Sequence, residues 1–188
     1  MTQTQSANEQ LNGVNVGALL GAREALENAP EAAEFTWKAT SEWKDGAHTR
    51  MEMNGFFGLG EEHARSKTFT IDSDHPEVFA ATDVAPTPIE IVLSGLAGCL
   101  TAGIASVAEN RGIKLNSVKA TLEGDMNLYG ILGVDSNVRN GFSAVRVRYD
   151  IDADASDEDI AALVAQSQKR SAVFDIITNP TNVFVTVA

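Results

Sequence analysis

One cysteine, Cys99, is all that the 188-residue sequence contains, so no disulfide can close within a single chain. The start, MTQTQSANEQLNG, has neither the basic segment nor the apolar stretch that directs secretion. Together these lead to the expectation of a reducing, cytoplasmic setting. Basic residues are scarce as well: 14 Lys and Arg stand against 26 Asp and Glu, a formal charge of −12. A nucleic-acid backbone is bound by clustered cations, so nucleic acid is excluded as a partner. No internal repeat, low-complexity tract or linker interrupts the chain. The apolar fraction of 44% is enough for one domain with a true core.

The most informative stretch runs from Thr87 to Gly112. Thr87 and Glu90 have the S/T-x-x-E spacing of a capping box, Pro88 takes the first helical position, and Gly112 follows Arg111 as a stop. One long helix is expected. Its residues Ile91 to Ala108 carry no charge, which is near the about 20 residues a membrane span requires. The abundance of Ala, Gly, Ser and Thr there and the alternating patterns on both sides favour a buried core helix, with no membrane as partner. Gly95, Gly98 and Gly103 each cost roughly 1 kcal/mol in a helix relative to alanine, so close approach by other backbone is expected along this small-residue surface.

Around that helix the chain reads in order. Residues 1–12 are polar, without periodicity, and expected to be disordered. A short amphipathic helix is expected from Asn15 to the stop at Pro30. Phe35 to Trp43 alternates as one half-buried strand, Lys44-Asp45-Gly46 makes a hairpin turn, and the return strand places His48, Arg50 and Glu52 on one face and Thr49, Met51 and Met53 on the other. Gly55, Gly58 and Gly60 are expected to break it. A third strand around Lys67, Phe69 and Ile71 leads into a polar loop. Beyond Gly112, Val118 to Leu128 and Val145 to Ala153 alternate cleanly. Ser156 with Asp159 caps a helix, Ser171 opens a short helix ending near Thr178, and Val183, Val185 and Val187 read as a final strand. Strands grouped between helices predict an α+β antiparallel architecture. The expected division is an N-terminal tail and helical extension over 1–33 and one domain over 34–188.

Pro88-Ile89-Glu90-Ile91-Val92-Leu93-Ser94-Gly95-Leu96-Ala97-Gly98-Cys99-Leu100 resembles the cysteine-helix signature of the OsmC/Ohr superfamily, and the order of elements is similar from about Phe35 to Val187. The resemblance implies an antiparallel sheet wrapped around the cysteine-bearing helix in an intertwined homodimer, with the thiol at the subunit interface. It also implies reduction of organic hydroperoxides by two cysteines, an arginine and a glutamate. Ser171, in Ser171-Ala172-Val173-Phe174-Asp175, stands where the second cysteine would be, so the two-cysteine cycle is not available. The implied residues are Cys99 as nucleophile, Arg50 as the cation that holds the thiolate with Arg65 in reserve, and Glu90, one residue past the family's slot at Ile89, as the group that orients the arginine.

Two functions follow. The first is a one-cysteine peroxidase, with a small hydrophobic hydroperoxide as substrate and an external thiol or dithiol as reductant. The second is a non-catalytic dimeric protein that binds a small apolar ligand or senses redox state. An inert buried cysteine, a pure capping role for Glu90 and an exposed strand role for Arg50 stand beside these. His48, His63 and His75 match no metal-ligand spacing, the glycines at 55, 58 and 60 lack the helix that a phosphate loop precedes, and no cofactor is implied.

Overall fold

A computed structural model describes residues 10–187. The chain divides into two compact units, one over Gly17–Val92, the other from Leu93 to the C-terminus together with the segment before Gly17. The elements are helices and antiparallel sheets, α+β in kind, and include one long helix.

Helix α1 (Val16–Asn28) ends before Pro30, as its capping and stop signals predict. Strands β1 (Thr36–Trp37), β2 (Thr40–Asp45), β3 (His48–Gly58) and β4 (Glu61–Ser73) form an antiparallel sheet. In it β3 is central, with β1 and β2 along one edge and β4 along the other. The register pairs Trp43 with Thr49, Met51 with Ile71 and Met53 with Phe69, so one face carries Trp43, Met51, Met53, Phe69 and Ile71. Glu42, Arg50 and Asp72 line up across the other.

Two expectations are corrected here. The stretch from Phe35 to Trp43 is two strands, because the pairing jumps from Trp37↔Phe56 to Thr40↔Glu52. Gly55 does not end β3. It lies where the ladder shifts register against β4, and a Cβ there would stand 2.6 Å from the His63 carbonyl oxygen, so the strand bulges and continues. The reversal comes at Leu59 and Gly60, both with left-handed φ.

The loop after β4 is closed by its own buried carboxylate. Asp74, 1% exposed, accepts from Thr82 Oγ1 at 2.7 Å and from the Val84 N–H at 3.2 Å, while its N–H donates to Pro86 O at 3.2 Å. The Thr82 hydroxyl, helped by backbone N–H groups and opposed by burial, holds the carboxyl down at about 2. The loop delivers the chain to helix α2 (Pro88–Arg111). The capping box forms as predicted: Thr87 N donates to Glu90 Oε2 at 2.8 Å, and Glu90 N to Thr87 Oγ1 at 3.4 Å. Gly112, at φ +68°, ends it.

In the other unit, α2 buries the i, i+4 line Leu96, Leu100, Ile104 and Ala108. Ile104 and Ala108 meet Leu163 of α4 (Asp157–Arg170), flanked by Val107, Ile113, Leu115, Val118, Tyr149, Ile151 and Val164. Strands β5 (Leu115–Asp125) and β6 (Ala144–Ala153) form an antiparallel ribbon in which Val118 faces Ile151 and Leu122 faces Val147. Its outer face pairs Arg146 with Glu123 at 3.2 Å. By length and composition α2 could cross a bilayer, but its buried line packs on these side chains.

The predicted closeness of approach along α2 holds at one glycine. A Cβ on Gly103 would lie 2.2 Å from Ser167 Oγ, whereas Gly95 and Gly98 face open space. Strand β5 stops at Asp125 because the Asn127 side chain accepts from Tyr129 N and starts the single turn α3 (Leu128–Ile131). Short helix α5 (Ala172–Thr178) has the predicted bounds. Residues 183–187 are not a strand: Val183 is 78% and Val187 99% exposed, since a ladder needs a partner and this segment pairs with none among the described residues. The expected N-terminal disorder falls mostly on residues outside the described ones. Leu11 and Asn12, in contrast, are fastened. Their N–H groups donate to the Glu109 carboxylate, and the Asn12 amide bonds both Ile113 O (2.8 Å) and Leu115 N (2.8 Å).

Candidate functional site

Cys99 precedes Leu100, a residue of the buried line of α2, and is itself half-buried. The end of α4 crosses it. Ser167, on the last full turn of α4, donates to Leu100 O at 2.6 Å, which fixes the crossing next to the thiol. One turn later the helix stops at Ser171, 6% exposed, whose side chain serves two purposes. As N-cap of α5, Ser171 Oγ accepts from Phe174 N at 3.1 Å. As a donor it reaches Cys99 Sγ, also at 3.1 Å.

The N–H groups of Val173 and Ala172 add to the hydroxyl in favouring the charged sulfur. As the first residues of α5 they have no partner within the helix. Burial pushes the thiol up, but the Ser171 hydroxyl and the two N–H groups outweigh it and hold Cys99 below the ordinary thiol value. A thiol so held is more of a thiolate at neutral pH, and the thiolate is the nucleophile. The donors are neutral, so the effect comes from hydrogen bonds and the start of a helix.

The other predicted residues belong to the unit over Gly17–Val92. Arg50, on the polar face of β3, makes a forked pair with Asp72, Nε to Oδ1 at 3.1 Å and Nη2 to Oδ2 at 3.3 Å. His48 Nε2 joins the same carboxylate at 2.8 Å, and His48 first and Arg50 second hold Asp72 below the usual carboxylate range. Arg65 lies on the opposite, apolar face. Its guanidinium stands over the rings of Phe69 (5.2 Å) and Phe56 (5.8 Å). Glu90 keeps its carboxylate on Thr87 N. His63 bonds Gly58 O at 2.9 Å, and no cluster of His, Cys, Asp or Glu could hold a metal among the described residues.

Sequence reading named Cys99 and identified Ser171 both as a helix cap and as the stand-in for a second cysteine. It missed the contact between them, which spans 72 residues, and it missed the Ala172 and Val173 amides and Ser167. The one usable signal was the cap itself, because an N-cap serine fixes where the free N–H groups of the next turn begin.

The family model for OsmC-like proteins matches residues 81–186, more than half of the chain and all of the Cys99–Ser171 site. An OsmC-like protein from Mycoplasma pneumoniae is similar in structure, with a TM-score of 0.58 at 15% identity over 76% of this chain and 87% of that one. An organic hydroperoxide resistance protein OsmC from Legionella pneumophila gives 0.53 at 21% identity over 76% and 88%. An OsmC-like protein of unknown function from Vibrio cholerae gives 0.55 at 11% over 74% and 91%. At these identities the likeness concerns the fold. No curated protein matches in sequence. From the matched segment, which contains the capped helix, its thiol and the serine against it, the chain belongs to the OsmC-like family.

Proposed function

We propose that this protein is a one-cysteine peroxidase that reduces organic hydroperoxides through Cys99. The observation that carries the proposal is the Ser171 hydroxyl donating to Sγ at 3.1 Å at the start of α5, which favours the thiolate. The thiolate attacks one oxygen of the O–O bond. That bond breaks, the alkoxide leaves and takes a proton to become the alcohol, and Cys99 is left as a sulfenic acid. No second cysteine exists to condense with it, so an external thiol or dithiol returns it to the thiol, as expected in a reducing cytoplasm. The apolar side chains of α2 favour a hydrophobic hydroperoxide. The roles of thiolate cation for Arg50, with Arg65 in reserve, and of orienting group for Glu90 belong to this proposal alone: within the chain Arg50 pairs with Asp72 and Glu90 with Thr87 N.

The working form is a homodimer. Support comes from apolar surface left open in one chain: the vacant space at Gly95 and Gly98, the half-covered Phe69 and Ile71, and Val183, Phe184 and Val185 at 78 to 89% exposed. The hydroperoxide resistance protein from Legionella pneumophila, similar in fold, supports the substrate class.

The test is stoichiometric organic hydroperoxide followed by sulfenic-acid trapping and mass spectrometry, repeated with Cys99→Ser and Arg50→Ala. Modification at Cys99, lost in the first variant and slowed in the second, is expected. An unmodified Cys99 refutes the reading. The serine at position 171 favours a second reading, a dimeric protein that binds a small apolar ligand or senses oxidants without turnover. A sulfenic acid that no thiol reduces would select it.

A further inference from the structure

At the end of β3 that pairs with β1, away from the Met51↔Ile71 end, the apolar face of the sheet finishes in a platform of rings. The rings of Phe35, Trp37 and Phe56 lie 5.0 to 6.0 Å apart between centroids, and His63 stacks on Phe56 at 4.9 Å. Two contacts fix the platform. Phe35 lies flat over Gly58, where a Cβ would stand 2.3 Å from the ring, and His63 Nε2 bonds Gly58 O at 2.9 Å. Trp37 nevertheless stays 68% exposed. A large ring left in water on a fixed support is a stacking surface without its partner.

The charges beside the platform are opposite in sign to the chain's net −12. The Arg65 guanidinium stands over Phe56 at 5.8 Å and over Phe69 at 5.2 Å, and Lys67 Nζ stands over Phe69 at 4.8 Å. Although the chain holds 26 acidic residues, neither cation forms an ion pair among the described residues. The nearby Lys38, in contrast, is paired with Glu62. Two cations thus crowd one ring with no carboxylate between them, and an anion placed there relieves their repulsion. A groove of about 390 Å³, lined in part by Arg65 and Phe69, opens at this point, a volume within the range of small-molecule sites. An aliphatic acid would leave the Trp37 ring unused, and an uncharged ring would leave both cations unmatched. From this we infer that the platform binds a small planar aromatic acid, its ring stacked on Trp37 and Phe56 and its carboxylate on the Arg65 fork with Lys67 beside it. Such binding requires nothing of Cys99 and stands apart from the peroxidase reading.

The test is titration of the full chain with 2-naphthoate, followed by amide shifts and by tryptophan fluorescence in a Trp43→Phe background. Cyclohexanecarboxylate serves as the acid without an aromatic ring, and 2-naphthalenemethanol as the ring without an acid. Saturable binding of 2-naphthoate is expected, about tenfold tighter than either control, on the scale of one stacked ring. Trp37→Ala is expected to abolish the preference over cyclohexanecarboxylate. Arg65→Gln and Lys67→Gln are each expected to weaken 2-naphthoate by about threefold to fivefold, as for exposed charge pairs, and to leave the alcohol unchanged. All three side chains are exposed, so these variants keep the fold, which circular dichroism checks. No saturation at millimolar 2-naphthoate, equal affinities for the three probes, or shifts centred away from residues 35–37, 56 and 63–69 overturn the inference. Sedimentation at the same concentrations tests for the other occupant. A mass that the probe leaves unchanged is expected, whereas a dimer that 2-naphthoate splits would show a second copy on the platform and overturn the ligand site while leaving the homodimer standing.

Discussion

Ser171→Cys converts the contact with Cys99 into a covalent test of the site. Oγ lies 3.1 Å from Sγ. A thiol carries its sulfur farther from Cβ than a hydroxyl carries its oxygen, so the gap narrows toward the about 2.05 Å of a disulfide with a small side-chain rotation. Cys99 oxidised by hydroperoxide would then meet a thiol in place of a hydroxyl. The sulfenic acid would condense to an intramolecular disulfide with loss of water. The bridge closes a segment separated by 72 positions. The chain-entropy model assigns such a loop about 4 kcal/mol of stabilisation, and that is an upper value. For a chain of this length it corresponds to a rise in Tm of about 8 to 16 °C between the reduced and oxidised variant. The assay has two parts, a count of free thiols after one equivalent of hydroperoxide and thermal unfolding with and without reductant. If the variant keeps two free thiols under conditions in which the native protein forms a sulfenic acid, the start of α5 does not lie against Cys99, and the account of the thiol fails with it.

Three further outcomes are expected. Ser171→Gly removes the hydroxyl while costing only a few tenths of a kcal/mol as an N-cap, so the pH profile of Cys99 alkylation moves upward without comparable loss of stability. An unmoved profile contradicts the role given to the hydroxyl. Asp74 has its carboxyl depressed from 3.8 to about 2, and its stabilisation is therefore full above the unfolded value and lost as pH falls from about 4 toward 2. Asp74→Ala, followed by acid unfolding, should lower stability at neutral pH and flatten the pH dependence in that window. Asn12→Ala breaks two bonds to the turn after α2. It should cost about 1 to 3 kcal/mol in chemical denaturation and speed amide exchange at Leu115, and unchanged exchange there would count against the clasp.

What could be read in the sequence was what is settled within a few residues. The Thr87–Glu90 box, the serine caps at 156 and 171 and the faces of β5 and β6 each depend on neighbours one to four positions away, and each appears where predicted. Alternation tells a strand which way its side chains point but not whether a partner exists, and so residues 183–187 were misread. Small residues permit close approach without identifying what approaches. Of the glycines along α2, Gly103 alone meets α4, through Ser167. The surroundings of Cys99 could not be derived locally, because Ser171, Ala172 and Val173 reach it only once α4 has been laid across α2.

Ser167 on α4 and Ser171 at its end, one turn apart, hold consecutive residues of α2, Leu100 through its carbonyl oxygen and Cys99 through its sulfur. Reactivity and architecture therefore share a fastening. A mutation far from the thiol that lets α4 slide, such as truncation of Leu163 in the core, would reach the sulfur as a change in its acidity before the protein unfolded. Conversely, an oxygen added to Sγ must displace the Ser171 hydroxyl or be held by it. The chemical state of one atom is thus felt as tension on the joint between two helices.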